Sequence, residues 1–127
     1  MVGSNGERML GITLPHVDAW NAWYLHYGNT ATGFAELDAT ITVAAERAGR
    51  DPAEVERSAC VLVSLEDKAV RRPDDEAVKA LEGSMKEIAA GLRELADAGA
   101  DEAILIVRPI TEGSIRALGQ ALAVLDA

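Results

Sequence analysis

The sequence predicts an α/β protein, because apolar runs typical of strands alternate with stretches of helical periodicity. Two runs, Ala59–Val63 and Ala103–Val107, are continuously apolar and rich in β-branched residues, which is typical of parallel strands buried on both faces. A helical pattern with a suitable capping residue, Ser84 or Thr111, follows each run. Strands that alternate with helices form right-handed crossovers, so we expect a mostly parallel sheet.

Composition and charge restrict the class of protein. The 127 residues, 49% of them hydrophobic, suffice for a single domain over 1–127 with its own core, and no apolar run approaches the ~20 residues of a membrane span. The net charge of −9 argues against a nucleic-acid surface. The start does not resemble a signal peptide, and the single Cys60 cannot form an internal disulfide. We therefore expect a cytoplasmic protein without a membrane or nucleic-acid partner.

The first element is a Gly-rich turn, Gly3-Ser4-Asn5-Gly6, followed by a helical pattern from Glu7 to Val17. Ser4 and Glu7 fit a capping box, and Pro15 predicts a kink or an early end of the helix. Backbone N–H groups at such a turn can also hold a phosphate. Two interpretations stand, an ordinary capped helix start and a phosphate loop, and a Ser4 hydroxyl that caps the helix is less free to bind a ligand.

The next elements follow from aromatic, capping and terminating residues. An aromatic-rich segment predicts a strand over 19–24, with a turn at 26–29. Thr32 is the predicted cap of a helix over about 33–48, which Gly49 ends in a left-handed conformation. Asp51 and Pro52 then start a short helical turn.

The second half of the chain repeats the alternation. The charged segment 66–75 predicts a loop, and 75–82 predicts a short helix around Val78 and Leu81. Ser84 and Glu87 form a second predicted capping box, and Gly99 stops that helix. The last helix, capped by Thr111, carries an apolar face formed by Ile115, Leu118, Leu122 and Leu125.

Few side chains suggest chemistry of their own. Trp20 and Trp23 are interpreted as core aromatics rather than as cofactor-stacking rings, and Cys60 as a small core residue rather than a nucleophile. His26 is the one acid–base candidate, although an exposed turn histidine is the simpler interpretation. The two histidines lack the spacing of a metal site. Arg108 follows the last strand and could serve a ligand phosphate.

Four segments, in order, resemble a known family. They are Gly3-Ser4-Asn5-Gly6-Glu7-Arg8-Met9-Leu10, Asp18-Ala19-Trp20-Asn21, Ala48-Gly49-Arg50-Asp51-Pro52 and Leu95-Ala96-Asp97-Ala98-Gly99-Ala100-Asp101. Together they resemble the C-terminal half of the bacterial-luciferase-like flavin- or deazaflavin-dependent oxidoreductases, a family that includes monooxygenases. The resemblance implies a partial TIM barrel. Val2 would end its fifth strand, and 19–24, 59–64 and 103–107 would be the sixth, seventh and eighth.

The resemblance also implies a cofactor site. Gly3, Ser4, Asn5 and Gly6 would contact the phosphate of FMN or coenzyme F420, with Arg8 as a countercharge. The family's first four strands, and with them its usual catalytic side chains, have no counterpart here, so catalytic residues are not assigned and no metal is expected. Gly11 and Pro15 depart from the helix formers typical of the family.

Half of a barrel leaves apolar strand faces and sheet edges uncovered. We expect Val61, Val63, Ile104 and Ile106 among the affected residues, and we expect a homodimer that covers them. Three hypotheses follow: a flavin- or F420-dependent oxidoreductase that is incomplete alone, a non-catalytic self-associating module derived from it, and a phosphate-binding protein.

Overall fold

A computed structural model describes residues 1–65 and 73–127, and at its centre lies a parallel sheet of three strands. The strands, in both chain order and sheet order, are β1 (Ala19–Ala22), β2 (Glu56–Ser64) and β3 (Glu102–Arg108). Val2 adds an isolated parallel bridge to Trp20 at the outer side of β1. Four parallel strand positions therefore follow one another across the sheet.

Helices connect the strands. They are α1 (Glu7–Thr13), α2 (Tyr24–Tyr27), α3 (Ala31–Arg47), α4 (Met85–Asp97) and α5 (Glu112–Asp126), with 3-10 turns at Pro52–Glu54 and Pro73–Ala77. Neighbouring helices pack in the order α1, α3, α4 and α5. The helix and strand alternation is the predicted one. In the described ranges no helix combines the length and the apolar character that a membrane span requires.

Several predicted ends are confirmed by local geometry. Helix α1 ends at Thr13, ahead of Pro15, and Gly49 adopts a positive φ of 75° after α3. Ser84 and Glu87 form the predicted capping box of α4. The Thr111 hydroxyl accepts the backbone N–H of Ser114 at the start of α5. Each of these signals involves residues within four positions of one another.

The predicted strand over 19–24 is wrong beyond Ala22, because the chain turns into α2. Beyond the end of β1, side chains from α2 and the turn after it lie beside β2 in place of a strand. The Tyr27 hydroxyl donates to the Cys60 carbonyl at 2.8 Å, and the Asn29 amide both accepts from Leu62 N–H and donates to its carbonyl. These tertiary bonds override the strand preference of the aromatic residues.

The predicted cap of α3 is wrong by two residues, since Thr30 rather than Thr32 accepts the N–H of Gly33. A Cβ on Gly33 would lie 1.9 Å from the Tyr27 carbonyl oxygen. The close approach of α2 and α3 therefore requires glycine at this position.

The predicted helix over 75–82 is also wrong. Residues 73–77 form a 3-10 turn, and Leu81 makes an isolated parallel bridge to Val63. The Leu81 N–H donates to the Leu62 carbonyl, and the Leu81 carbonyl accepts from Ser64. Leu81 thus provides hydrogen-bond partners for backbone groups of β2 that extend past the end of β1. Of the predicted loop over 66–75, residues 66–72 lie outside the described ranges.

Strand β2 is the centre of the core. Every residue from Arg57 to Ser64 is buried, as predicted for a parallel strand covered on both faces. Its Arg57 side chain faces α3, where it forms an ion pair with Asp38 at 2.7 Å. Trp20, in register with Arg57, packs on Phe34 of the same helix. One face of the sheet, called here the helix face, therefore carries Trp20 and Arg57.

The opposite face, called here the inner face, carries Asn21 and Ser58, since side chains alternate along each strand. The Asn21 amide donates to the Ser58 hydroxyl, which donates to Glu102 of β3, both at 2.9 Å. Register places Ile104 and Arg108 on the inner face as well. Strand β3 contrasts with β2, because Ile104 is 41% exposed and only Val107 of β3 is buried. The predicted burial of this strand is wrong at Ile104, which agrees instead with the expectation that half of a barrel leaves Ile104 uncovered. That expectation is wrong for Val61 and Val63, because strand alternation places them on the helix face, where they are buried.

Candidate functional site

The predicted phosphate loop, residues 3–6, leaves the sheet at Val2 and crosses to the helix face. The Trp20 indole N–H donates to the Ser4 carbonyl at 2.9 Å, and Trp20 itself is fully buried. The backbone N–H of Val2 donates to the Ala19 carbonyl, and the Val2 carbonyl accepts from the N–H of Asn21. The loop is therefore anchored by the core at its first residues, and Asn5 and Gly6 are exposed beyond them.

The predicted capping box of this helix is wrong. The N-cap of α1 is Gly6, and it has no side-chain capping bond. The Ser4 hydroxyl accepts from Gly6 N–H at 3.4 Å, and Glu7 forms an ion pair with Arg47 instead. Because the Ser4 carbonyl is held by Trp20, the serine cannot take the N-cap position. The first N–H groups of α1 consequently have no side-chain cap.

The two glycines of the loop leave open space. A Cβ on Gly3 would lie 3.8 Å from the Asn21 carbonyl oxygen, and one on Gly6 would lie 3.9 Å from the Ser4 hydroxyl, both ordinary contacts. The φ of Gly6 is −75°, which any residue adopts. Neither crowding nor backbone conformation therefore demands glycine at Gly6, whereas close approach of a ligand would.

Predicted residues 3–6 and Arg8 are brought together at the start of α1, with Arg8 exposed. A groove of about 670 Å³ lies beside them between α1 and α3. Its walls include Asn5, Leu10, Val43 and Ala44. The structure thus combines the loop with an adjacent, mostly apolar surface on the helix side of the sheet.

A second polar cluster lies at the carboxyl end of the inner face. Asp75 is fully buried; it accepts from the Tyr24 hydroxyl at 2.6 Å and from Arg108 Nε at 3.0 Å. The cluster links α2, the 73–77 turn and the end of β3. Arg108, considered from the sequence as a phosphate ligand, is thereby committed to a carboxylate.

Sequence reasoning did not find this cluster. Asp75 stands at the end of a charged run, and Tyr24 in an aromatic run that predicts a strand. Their contacts span 51 and 33 residues of sequence, so no local spacing reveals them. The only local signal is an arginine directly after an apolar strand, at the sheet edge where barrel enzymes place their sites.

The other candidates are either exposed or buried in the core. His26 is exposed in α2, and no group of three potential metal ligands occurs within the described ranges. Cys60 is buried, and burial raises the pKa of its thiol to about 11, which disfavours the nucleophilic thiolate. Trp20 is core as predicted, whereas Trp23 is 38% exposed and lies against Tyr24.

Comparison with known proteins gives the fold a context. No protein-family model matches the sequence, and no curated protein is significantly similar to it. Solved structures do match. The coenzyme F420 dependent tetrahydromethanopterin reductase from Methanopyrus kandleri aligns with 93% of this chain at 14% identity and a TM-score of 0.64. An F420-dependent secondary alcohol dehydrogenase, solved with an F420-acetone adduct, aligns with 98% at 10% identity and a TM-score of 0.69.

The chain spans about half the length of these proteins, since the alignments cover 47% of each. Its fold matches about half of the fold of these two proteins, with parallel strands alternating with helices as in part of a (β/α)8 barrel. The resemblance that the sequence motifs imply is thus confirmed at the level of the fold.

Proposed function

We propose that this chain forms part of an F420-dependent oxidoreductase, with residues 3–6 and Arg8 at the phosphate of the cofactor. The observation that carries the proposal is the alignment of nearly the whole chain with half of two F420-dependent enzymes. Both neighbours are named for F420, so F420 rather than FMN is the proposed cofactor.

The geometry of the loop supports the phosphate site. Its N–H groups lie at a helix start without a side-chain cap, and Gly6 leaves room for a ligand to approach the backbone. Arg8 is an exposed cation one residue into the helix, where it adds to the positive end of the dipole. The residues present therefore fit a phosphate group.

The bound cofactor would supply hydride transfer, the chemistry that reductases and dehydrogenases share. The role proposed for this chain is to bind and orient the phosphate through Ser4, Gly6 and neighbouring backbone. No catalytic residue is proposed, and oxygen insertion of the monooxygenase type stays a prediction from the family resemblance alone.

Titration with F420, followed by its fluorescence, tests the proposal, with FMN titrated in parallel. We expect F420 to bind and Gly6→Ala to weaken binding roughly tenfold or more, the loss of one close hydrogen bond. Ser4→Ala should bind nearly as well as the unaltered chain if the backbone makes the contact. Gly113→Ala is the matched control, because a Cβ there would lie 3.9 Å from the Thr111 hydroxyl, the same ordinary contact as at Gly6.

Absence of F420 binding at high micromolar concentration would contradict the proposal for this chain. If Gly6→Ala binds F420 as tightly as the unaltered chain does, the phosphate does not bind at this loop. If FMN binds more tightly than F420, FMN is the cofactor instead.

A second candidate, a non-catalytic self-associating module, is favoured by one observation. A barrel enzyme places its site at the carboxyl end of the inner face. Here Tyr24 and Arg108 both donate to Asp75 at that end, so these polar side chains are engaged with one another. Self-association without binding of F420 or FMN would favour this candidate over the first.

A further inference from the structure

Exposed apolar side chains concentrate at the two ends of the sheet. Within the described ranges, seven large apolar residues are exposed at these ends. Those of the first end, at Val2 and α1, are Met1, Met9 and Ile12; those of the last end, at β3 and α5, are Ile104, Ile110, Ile115 and Leu122. Trp23 and Val43 are the other exposed large apolar residues. The middle of the molecule is therefore covered, and the two ends are not.

Each end has the layered structure of a barrel segment. At the last end, Ile104 is exposed on the inner face of β3, while Ile115 and Leu122 lie seven residues apart along α5. At the first end, Met9 and Ile12 share one side of α1, next to the Val2 bridge. At each end, therefore, both the strand and the helix beside it expose apolar side chains or an unpaired edge that no other element of the described ranges covers.

We infer that two copies of this chain associate with the first end of one against the last end of the other, twice around a common two-fold axis. Four parallel strand positions per copy give the eight of a closed barrel. The partner of β3 is therefore a second copy.

This arrangement differs from a simple face-to-face dimer. Each contact joins two different surfaces, and the two-fold axis repeats it, so the assembly closes without leaving a free end. It rests on the proposed function in that a complete barrel would support the cofactor site. Its test uses no cofactor, so failure of F420 binding and failure of association are separate results.

Charge gives the association a defined salt dependence. Each copy carries a net charge of −9, so two copies repel one another at low ionic strength. The proposed contacts are apolar, and salt screens the repulsion. Rising salt should therefore strengthen the dimer, whereas a dimer built on opposite charges would weaken.

Sedimentation equilibrium of the full chain and two variants tests the arrangement. We expect a mass near twice the chain mass of 13.4 kDa, and a shift towards the monomer for both Ile104→Glu and Ile12→Glu. Ala90→Glu, at an exposed position of α4 away from both ends, is the matched control and should stay dimeric. Circular dichroism checks that each variant folds, and Ile115→Glu replaces Ile104→Glu if that variant does not.

An equimolar mixture of Ile104→Glu and Ile12→Glu gives the sharpest result. Each variant alone has one altered residue in both contacts of its dimer. In the mixed dimer both alterations fall in one contact, and the other contact is intact. The mixture should therefore associate more tightly than either variant alone. A monomeric chain, a dimer that Ile12→Glu leaves unchanged, or a mixture that associates no better than its components would overturn the inference.

Discussion

Strands β2 and β3 pair in register from Ser58–Glu102 to Ser64–Arg108, yet their surroundings differ. Both contain continuous apolar runs with β-branched residues. Strand β2 is buried from Arg57 onwards, whereas β3 exposes 41% of Ile104. The cause lies in the neighbours, because β2 has β1, Asn29 and Leu81 on one side and β3 on the other. An apolar run thus predicts a strand, but its burial depends on what pairs with it.

The difference indicates separate roles for the two strands. Strand β2 organises the core of one copy, and β3 provides the surface for the next. If this is correct, substitutions in β2 should act on the stability of the single chain, and those at the exposed positions of β3 should act on association.

The largest expected effect is at the ion pair between the buried Arg57 of β2 and the partly buried Asp38 of α3. Arg57→Met removes the partner of Asp38 and leaves the Val55 and Pro52 carbonyls without this donor. Breaking a buried pair from one side costs about 3–5 kcal/mol of unfolding free energy. Urea unfolding measures it, with Arg116→Met as control, whose exposed pair with Glu112 contributes below about 1 kcal/mol.

The same pair has a defined pH dependence. Burial raises the pKa of Asp38, and the attraction of Arg57 opposes that rise. A raised pKa in the folded state means that deprotonation disfavours folding, so this contribution to stability falls as pH rises through the raised value. Since Arg57→Met removes the opposing attraction, its cost should be smaller at acidic pH. A cost that grows on acidification would contradict this account.

A pair of truncations compares the two strands directly. Leu62→Ala, at a fully buried residue of β2, should cost about 2–5 kcal/mol because it leaves a cavity. Ile104→Ala should cost less at protein concentrations where the chain is monomeric, since its side chain is partly in water already. Equal costs in dilute urea titrations would show that β3 is not an open strand.

The smallest expected effect concerns the cap of α4. The backbone N–H of Ser84 donates to the Glu87 carboxylate at 2.6 Å, and this bond lowers the pKa of Glu87. Its contribution is present above the ordinary glutamate pKa and is lost as pH falls through the lowered value. In Glu87→Gln, stability should lose this part of its acid dependence, which thermal unfolding between neutral and acidic pH would reveal.

Sequence patterns predicted what local contacts determine. The alternation of strands and helices, the Thr111 and Ser84 caps and the Gly49 terminus rest on residues a few positions apart. The Ser4–Glu7 pattern shows the limit of such signals, because it matches a capping box but the Trp20 indole fixes the Ser4 carbonyl elsewhere. A local pattern decides a structure only where no distant residue competes.

Distant contacts account for the rest. The Tyr24, Asp75 and Arg108 cluster and the Asp38–Arg57 pair join elements that lie 19 to 51 residues apart. In the sequence, the charged members of these contacts look like surface charges, and Tyr24 looks like a strand residue. For the candidate site, the motif located the loop at residues 3–6, while its anchoring by Trp20 became visible only in the folded chain.

Hydrogen exchange at two protein concentrations tests the difference between β2 and β3 most directly. Amides of β2 should exchange slowly at both concentrations, because they are buried within one copy. The amides of β3 that do not bond to β2 should be weakly protected in dilute solution and should gain the most protection as the concentration rises, because they face the second copy in the dimer. Protection of these β3 amides that equals that of β2 in dilute solution, or that does not change with concentration, would contradict the account.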